Sequence, residues 1–549
     1  MTGRREPNNL RPGLGRRNPA RRPHLHLDRS PRVHEFPAPP AGTPRVPSRR
    51  PSASLRRAGV HLALLAALSG PGAACASRQV AGTVPRQGTL EAVRARRAWI
   101  DERLRALRAA ERSGDAAGSR AAARELEGAG VDWRSFLTPI RGSVQGSCCI
   151  LGEWPKNHTL RQIAQKLNLV RDVRQIFGIP DRAGDLARDG TILDSAFFTN
   201  TDVGSLTPEE VLREAGGQEP QGTIYITEQK TEGVSEGFWG RDENGDAFIF
   251  VLDPQGFAEM NTAAEVMGST ILRLAGYNVP YPSIVTLDDL AIAPEVLEEQ
   301  AAERAGLPEP PEGPAHEAAE EQFELRLGDD DETLGQDDID QFRGRRAVAT
   351  KAITSGYRGP WTYWVFRDRR ELRGAQVFAA WINNYDQVDH NTIAHLFDAD
   401  AGLVRYYIVD TSSAFGSASN RVKDPPAGYV NNTIDVQRLV TAPLRGLASP
   451  FGYRDPWDPD QPIVSPAVGR FDASLEPRLW KPQYPNLAYE DMDEEDAEWA
   501  AGLIGRFSDD LIDAIVSLAR YSNPADAAHV AAALKARRDV IVRTYLGDD

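Results

Sequence analysis

Three cysteines in 549 residues cannot build a disulfide framework, which excludes a small stapled secreted fold. Cationic excess is also missing. Lys and Arg number 64 against 78 Asp and Glu, giving a formal net charge of -14, and a general nucleic-acid binder would need that balance reversed. There is no HExxH, no paired-Cys zinc spacing and no P-loop. Those absences weigh against zinc-dependent and Walker-type chemistry. No internal repeat is visible, and no apolar run is long enough to span a bilayer. What is present suffices for a large core: 41% hydrophobic residues and ten Trp, in a length that allows two to four domains.

The average charge hides an asymmetry. Residues 1–53 are Arg- and Pro-rich without apolar periodicity, so they are expected to be a disordered leader, or the product of a mis-assigned start. Residues 54–75 then combine a basic flank, the short apolar run Val60 to Leu68 and small residues ending at Cys75. That order predicts a secretory signal, and Gly72-Ala73-Ala74-Cys75 resembles a lipobox whose Cys becomes the lipidated N-terminus. It departs from the usual pattern in having no Leu three residues before the Cys. The implied location is the cell envelope, lipid-anchored, with a cytoplasmic chain as the alternative.

Residues 76–140 predict a helical hairpin or stalk, broken at Gly114-Asp115. Residues 141–221 form an N-terminal extension holding the neighbours Cys148 and Cys149, to which no chemistry is assigned, and a helix at 157–170. Thr207-Pro208 marks a further helix start. From 222 to 545 strands give way to helices, which predicts an α+β domain. An acidic, Pro-containing insertion at 295–344 reads as a solvated surface loop.

The chemistry gathers in Ala375 to Gly416, a helix, an acidic loop, a β-hairpin and an acid where the second strand ends. This order allows Asp386, Asn391 and Asp410 to converge on one hydroxyl and one divalent ion, the arrangement phosphoryl transfer requires. Asp386 would orient the hydroxyl; Asn391 and Asp410 would hold Mg²⁺. Asx turns and a capped loop would use the same residues. A hydrolytic metal site drawing on Asp386, Asp389, His390, Asp398 and Asp400 is a second chemical reading, although Asp398 and Asp400 look like turn residues.

Five marks carry a resemblance: Gly276-Tyr277-Asn278-Val279-Pro280, Arg369 to Gly374, Ala379 to Thr392, Tyr406 to Ser417 and Trp480 to Asn486. Together they resemble an uncharacterised family of bacterial, often lipoprotein, sequences with an atypical protein-kinase-like domain. More broadly they are similar to the group holding HipA-type, CotH and secretory-pathway kinases. The resemblance covers roughly residues 145–545. It implies two lobes, a small β-rich N-lobe and a helical C-lobe, with Mg²⁺ and ATP as possible cofactors. It also implies that Lys230, Gly233, Gly237 and Gly240 cover phosphates and that Glu265 pairs with a strand Lys.

That strand Lys is where the chain departs from the family. Two residues before Asp253-Pro254 stands Val251, which cannot neutralise phosphate charge. Lys230 and Arg241, on adjacent strands, are the candidates to stand in for it. Three functional classes follow: a degenerate kinase binding Mg-nucleotide weakly or not at all, an active phosphotransferase with a relocated Lys, and a non-catalytic envelope lipoprotein. The substrate, protein or small molecule, is not legible; nucleic acid is not expected, and the membrane is reached through the anchor alone.

Overall fold

The computed structural model describes residues 89–137, 181–187, 189–215, 219–230, 234–297, 336–430 and 457–547. The leader, the signal with Cys75, Cys148 and Cys149, the helix expected at 157–170, Gly233 and most of the acidic insertion lie outside the described residues.

Capping chemistry sets the first elements. Helix α1 (Leu90–Ser113) begins where Thr89 Oγ1 accepts from the Ala92 amide and ends at Gly114 in the left-handed region. Asp115 then caps α2 (Ala116–Gly128) through the amides of Ala117 and Gly118. Helix α3 (Pro208–Ala215) opens on a reciprocal pair, the Glu210 amide to Thr207 Oγ1 and the Thr207 amide to Glu210 Oε2. The α1–α2 pair does not stand off as a stalk. Leu104 and Leu107 are fully buried in the main core.

The strands β1 (Ile224–Gln229), β2 (Gly237–Arg241), β3 (Ala247–Leu252), β4 (Pro282–Thr286), β5 (Leu290–Ile292) and β6 (Arg346–Lys351) form one mixed sheet in the order β4-β6-β3-β2-β1-β5. Only β1 and β5 run parallel. The β2–β3 turn is fixed by Asp242 Oδ1, which accepts from the amides of Asn244 and Asp246. Strand β3 alternates faces. Phe248, Phe250 and Leu252 join Phe238 and Phe342 on one side, whereas Val251 turns to Val266, Ile284 and Val348 on the other. Phe342 belongs to α5 (Gln336–Phe342), so the end of the acidic insertion is not a surface loop: Ile339 and Phe342 are core residues, because the aromatic face of the sheet needs a cover.

Helix α4 (Met260–Ala275) lies between this sheet and the main core and is buried on nearly every face. Gly276 ends it at φ 118°, where a Cβ would lie 2.3 Å from the Thr199 carbonyl, so only glycine fits. Helix α6 (Arg370–Ile382) leads to the hairpin β7 (Thr392–Asp398) and β8 (Leu403–Ile408). The remaining helices are α7 (Leu487–Glu490), α8 (Glu494–Ile504), α9 (Asp509–Ser517) and α10 (Pro524–Leu546). The sequence predicts α8 and α9 as one helix over 494–518. They separate because Ser508 caps a new start through the Leu511 amide.

The α1 helix docks on the hairpin through charge as well as apolar contact. Arg405 meets Asp101 at 2.6 Å and Arg105 meets Asp398 at 2.7 Å. A second knot of charge underlies α6. Arg369 bonds Glu371 at 2.7 Å and Asp132 at 3.1 Å, and Arg370 and Arg373 both reach the fully buried Asp496. Removing one partner from such a knot strands the other charge in the core, typically at a cost of about 3–5 kcal/mol.

Candidate functional site

The α6 helix ends at Asn383, whose φ of 52° turns the chain sharply into the acidic loop. Asp386 follows, and Asn391 closes the loop: its Nδ2 donates to the Asp386 carbonyl at 3.0 Å and to Oδ2 at 3.3 Å. Antiparallel pairing of β7 and β8 then returns the chain, and the Val409 amide donates to the Asn391 carbonyl at 3.0 Å. Asp410 therefore emerges beside the loop, with φ 61°. Among the described residues, four of the six non-glycine residues in the left-handed region, Asn383, Asp410, Phe415 and Ser419, sit in this segment. Backbone held in that region costs of order 1–3 kcal/mol per residue and tends to cluster at functional sites.

Glu265 enters from α4. Its Oε2 accepts from the Thr411 amide at 2.6 Å, its Oε1 from Ser269 Oγ at 3.2 Å, and Thr411 Oγ1 donates to the Glu265 carbonyl at 2.9 Å. Helix and loop approach closely because Gly268 has no side chain. A Cβ there would meet Thr411 Cβ at 2.7 Å.

The electrostatics place the acids together. Burial, then the charge of Asp410, pushes the Asp386 carboxyl up to about 6. The same two causes in the same order push Glu265 up to about 8. The charge of Asp410, itself exposed, thus acts on two half-buried acids. Among the described residues no Lys, Arg or His forms an ion pair with Glu265; its neighbours are hydroxyls and an amide. The two residues expected to supply a cation are engaged elsewhere. Lys230 Nζ donates to the Ser235 carbonyl at 3.0 Å, and Arg241 pairs with Glu295. Gly237 and Gly240 lie within β2, where a Cβ would strike the carbonyls of Phe250 and Tyr225, so each is required by strand packing whatever else it does.

One cation does stand near. Lys423 is buried, donates to the carbonyls of Asn383 and Phe415, and lies 4.9 Å over the Tyr385 ring. Burial and Arg537 hold its ammonium well below the usual lysine range, and Asp386 opposes them. Nothing in Val422-Lys423-Asp424-Pro425 distinguishes it from a loop lysine, so sequence reasoning misses it.

Among the described residues no three of His, Cys, Asp and Glu gather closely enough to ligate a metal by themselves. The hydrolytic site drawn on Asp386, Asp389, His390, Asp398 and Asp400 is therefore not assembled among the described residues. Asp398 instead pairs with Arg105 and caps a turn at Ala401, and Asp389 accepts from the Tyr363 amide. A two-ligand site is a different matter. The described bonds of Asp410 use Oδ1, to the Ser412 amide and hydroxyl, and those of Asn391 use Nδ2. Asp410 Oδ2 and Asn391 Oδ1 remain available, which suits Mg²⁺ completed by phosphate oxygens and water.

No protein-family profile, no curated protein and no solved structure matches the chain. Among the described residues, no helix is long and apolar enough to cross a membrane.

Proposed function

We propose that the chain is an exported, lipid-anchored protein with a two-lobed kinase-like domain that has lost the charge neutralisation needed for efficient phosphoryl transfer. The strand order β1-β2-β3-β6-β4 backed by α4 supports a β-rich lobe, and α6 to α10 support a helical one. One observation carries the degenerate reading: Glu265 faces Asp410 without a described cation, while Val251 packs among Val266, Ile284 and Val348.

The retained chemistry is that of positioning. Asp386, held by Asn391, would accept the proton of an acceptor hydroxyl. The hydroxyl oxygen would bond the terminal phosphorus of a nucleoside triphosphate as the bond to the diphosphate leaving group breaks. Mg²⁺ held by Asp410 and Asn391 would supply part of the positive charge this transfer needs, and a strand Lys would supply the rest. Electrostatic groups of this kind are worth roughly 10²–10³-fold in rate each.

The experiment is autophosphorylation of the wild type, Asp386→Asn and Lys230→Ala in Mg²⁺ and ATP. Weak or no turnover in all three is expected. Robust wild-type turnover lost in Lys230→Ala would mean a relocated Lys and an active enzyme.

A further inference from the structure

Away from the acid cluster, a group of arginines carries more positive charge than the acids around it can match. Arg273 stands in the last turn of α4, about 12 Å along the helix from Glu265 at a rise of roughly 1.5 Å per residue. It is 7% exposed and its Nε is enclosed. Among the described residues its guanidinium meets no acceptor and forms no ion pair. It lies instead 4.0 Å over the ring of Tyr281. Arg97 of α1 acts on the same tyrosine. Arg97 is half-buried, and its described side-chain bond runs from Nε to Thr199 Oγ1 at 3.2 Å.

The carboxylates that act on these two arginines are already matched. Glu214 pairs with Arg94 at 2.8 Å and accepts from the Tyr281 hydroxyl at 2.6 Å. Asp194 pairs with Arg96 at 2.9 Å and accepts from the Asn200 amide at 2.7 Å. Asp101 pairs with Arg405 at 2.6 Å. Arg97 and Arg273 are left over, in a chain whose formal net charge is -14. Burial holds both guanidiniums below the usual arginine range. A charge withdrawn from water is costly unless a counter-charge or hydrogen bonds meet it, so this pair lacks an anion.

Chemistry narrows what that anion is. The planar fork of arginine matches the oxygens of phosphate and carboxylate. Two uncompensated charges suit a dianion better than a carboxylate, and a phosphomonoester carries nearly two negative charges at pH 7. Arg94, whose side chain is 61% exposed, and the half-buried Tyr281 bring the group to the surface, within reach of a solute. Arg273 is too enclosed to lie on a membrane plane or along a polynucleotide. We infer that Arg97 and Arg273, gathered at Tyr281, form a binding site for inorganic phosphate or a small phosphomonoester. None of its residues belongs to the acid cluster, so the site stands apart from the kinase-like reading.

The test uses the full chain without Mg²⁺ or nucleotide. Calorimetry and thermal unfolding are recorded with inorganic phosphate, glycerol 3-phosphate and acetate. At least one of the two phosphates should bind and raise the unfolding temperature, and acetate should do neither. Arg273→Leu and Arg97→Gln should each weaken phosphate binding about tenfold or more, as expected for the loss of a charge-assisted bond. Arg97→Gln leaves the enclosed stack of Arg273 on Tyr281 in place and carries the test if Arg273→Leu does not fold. Absence of phosphate binding, an equal response to acetate, or unchanged binding in folded Arg97→Gln would overturn the inference. Asp410→Ala separates the two readings: it should keep phosphate binding while losing Mg-nucleotide. Phosphate binding lost in Asp410→Ala but kept in Arg97→Gln would put the anion at the acid cluster and contradict the site drawn here. Phosphate binding in a wild type that binds no Mg-nucleotide would leave this inference standing and remove the kinase-like one.

Discussion

Single side chains decide what the acid cluster can do. Val251 is the most informative, since it sits on the face of β3 that meets α4, one residue from Glu265 through its contact with Val266. A lysine there could lay its stem over the same apolar cluster and bring its ammonium towards Glu265 and Asp410. Val251→Lys is expected to raise Mg-nucleotide affinity, at a stability cost of about 1–3 kcal/mol for the disturbed packing. Titration calorimetry and thermal unfolding measure the two effects. Unchanged affinity in a folded variant would mean that the missing cation is not what limits this site. The identity of Asp386, Asn391 and Asp410 as candidates is legible in the sequence, because a fixed spacing and a hairpin bring them together. The surroundings of Glu265 are not legible. That its partners are Thr411 and Ser269 depends on the close approach allowed at Gly268, which lies 143 residues away in sequence from Thr411.

At the scale of elements, the motifs that carry the family resemblance turn out to be largely fasteners. Tyr277 Oη donates to the Glu371 carbonyl at 2.7 Å, and Asn278 Nδ2 donates to the carbonyls of Ala196 and Tyr406. Trp480 Nε1 donates to Asn383 Oδ1 at 3.0 Å, tying a distant loop to the turn before Asp386. Such motifs hold α4, α6 and β8 in place and so imply a fold more strongly than an activity. Caps and periodicity made α1, α2, α3 and α10 readable, because their signals are local. The docking of α1 on the β7–β8 hairpin was not readable, since Asp101 and Arg405 resemble solvated charges until the pair is brought together. Leu104, fully buried in the main core, gives a direct check on the docking of α1. Leu104→Ala should cost about 2–5 kcal/mol in chemical denaturation. A cost below 1 kcal/mol would be expected only of a loosely attached stalk.

Across the whole molecule, charge buried under α6 gives stability a pH signature. Burial, and then the neighbouring Asp493, raise Asp496 to about 6 from an ordinary 3.8, although Arg370 and Arg373 act in the opposite sense. The folded chain therefore holds this proton more tightly than the unfolded one. Its contribution is fully present below about pH 4 and is lost as pH rises to about 6. Unfolding measured across that window should show a component that falls with pH and disappears in Asp496→Asn. An identical pH slope in the variant would place the titration elsewhere. Charge also frames the central claim, that an acidic, kinase-like site keeps its metal ligands but lacks a phosphate cation. Equilibrium binding of Mg-ATP to the wild type and to Asp410→Ala, with and without Mg²⁺, tests that claim most directly. Weak, strictly Mg²⁺-dependent binding that Asp410→Ala abolishes is the predicted result; tight binding that survives without Mg²⁺ or in Asp410→Ala would contradict it.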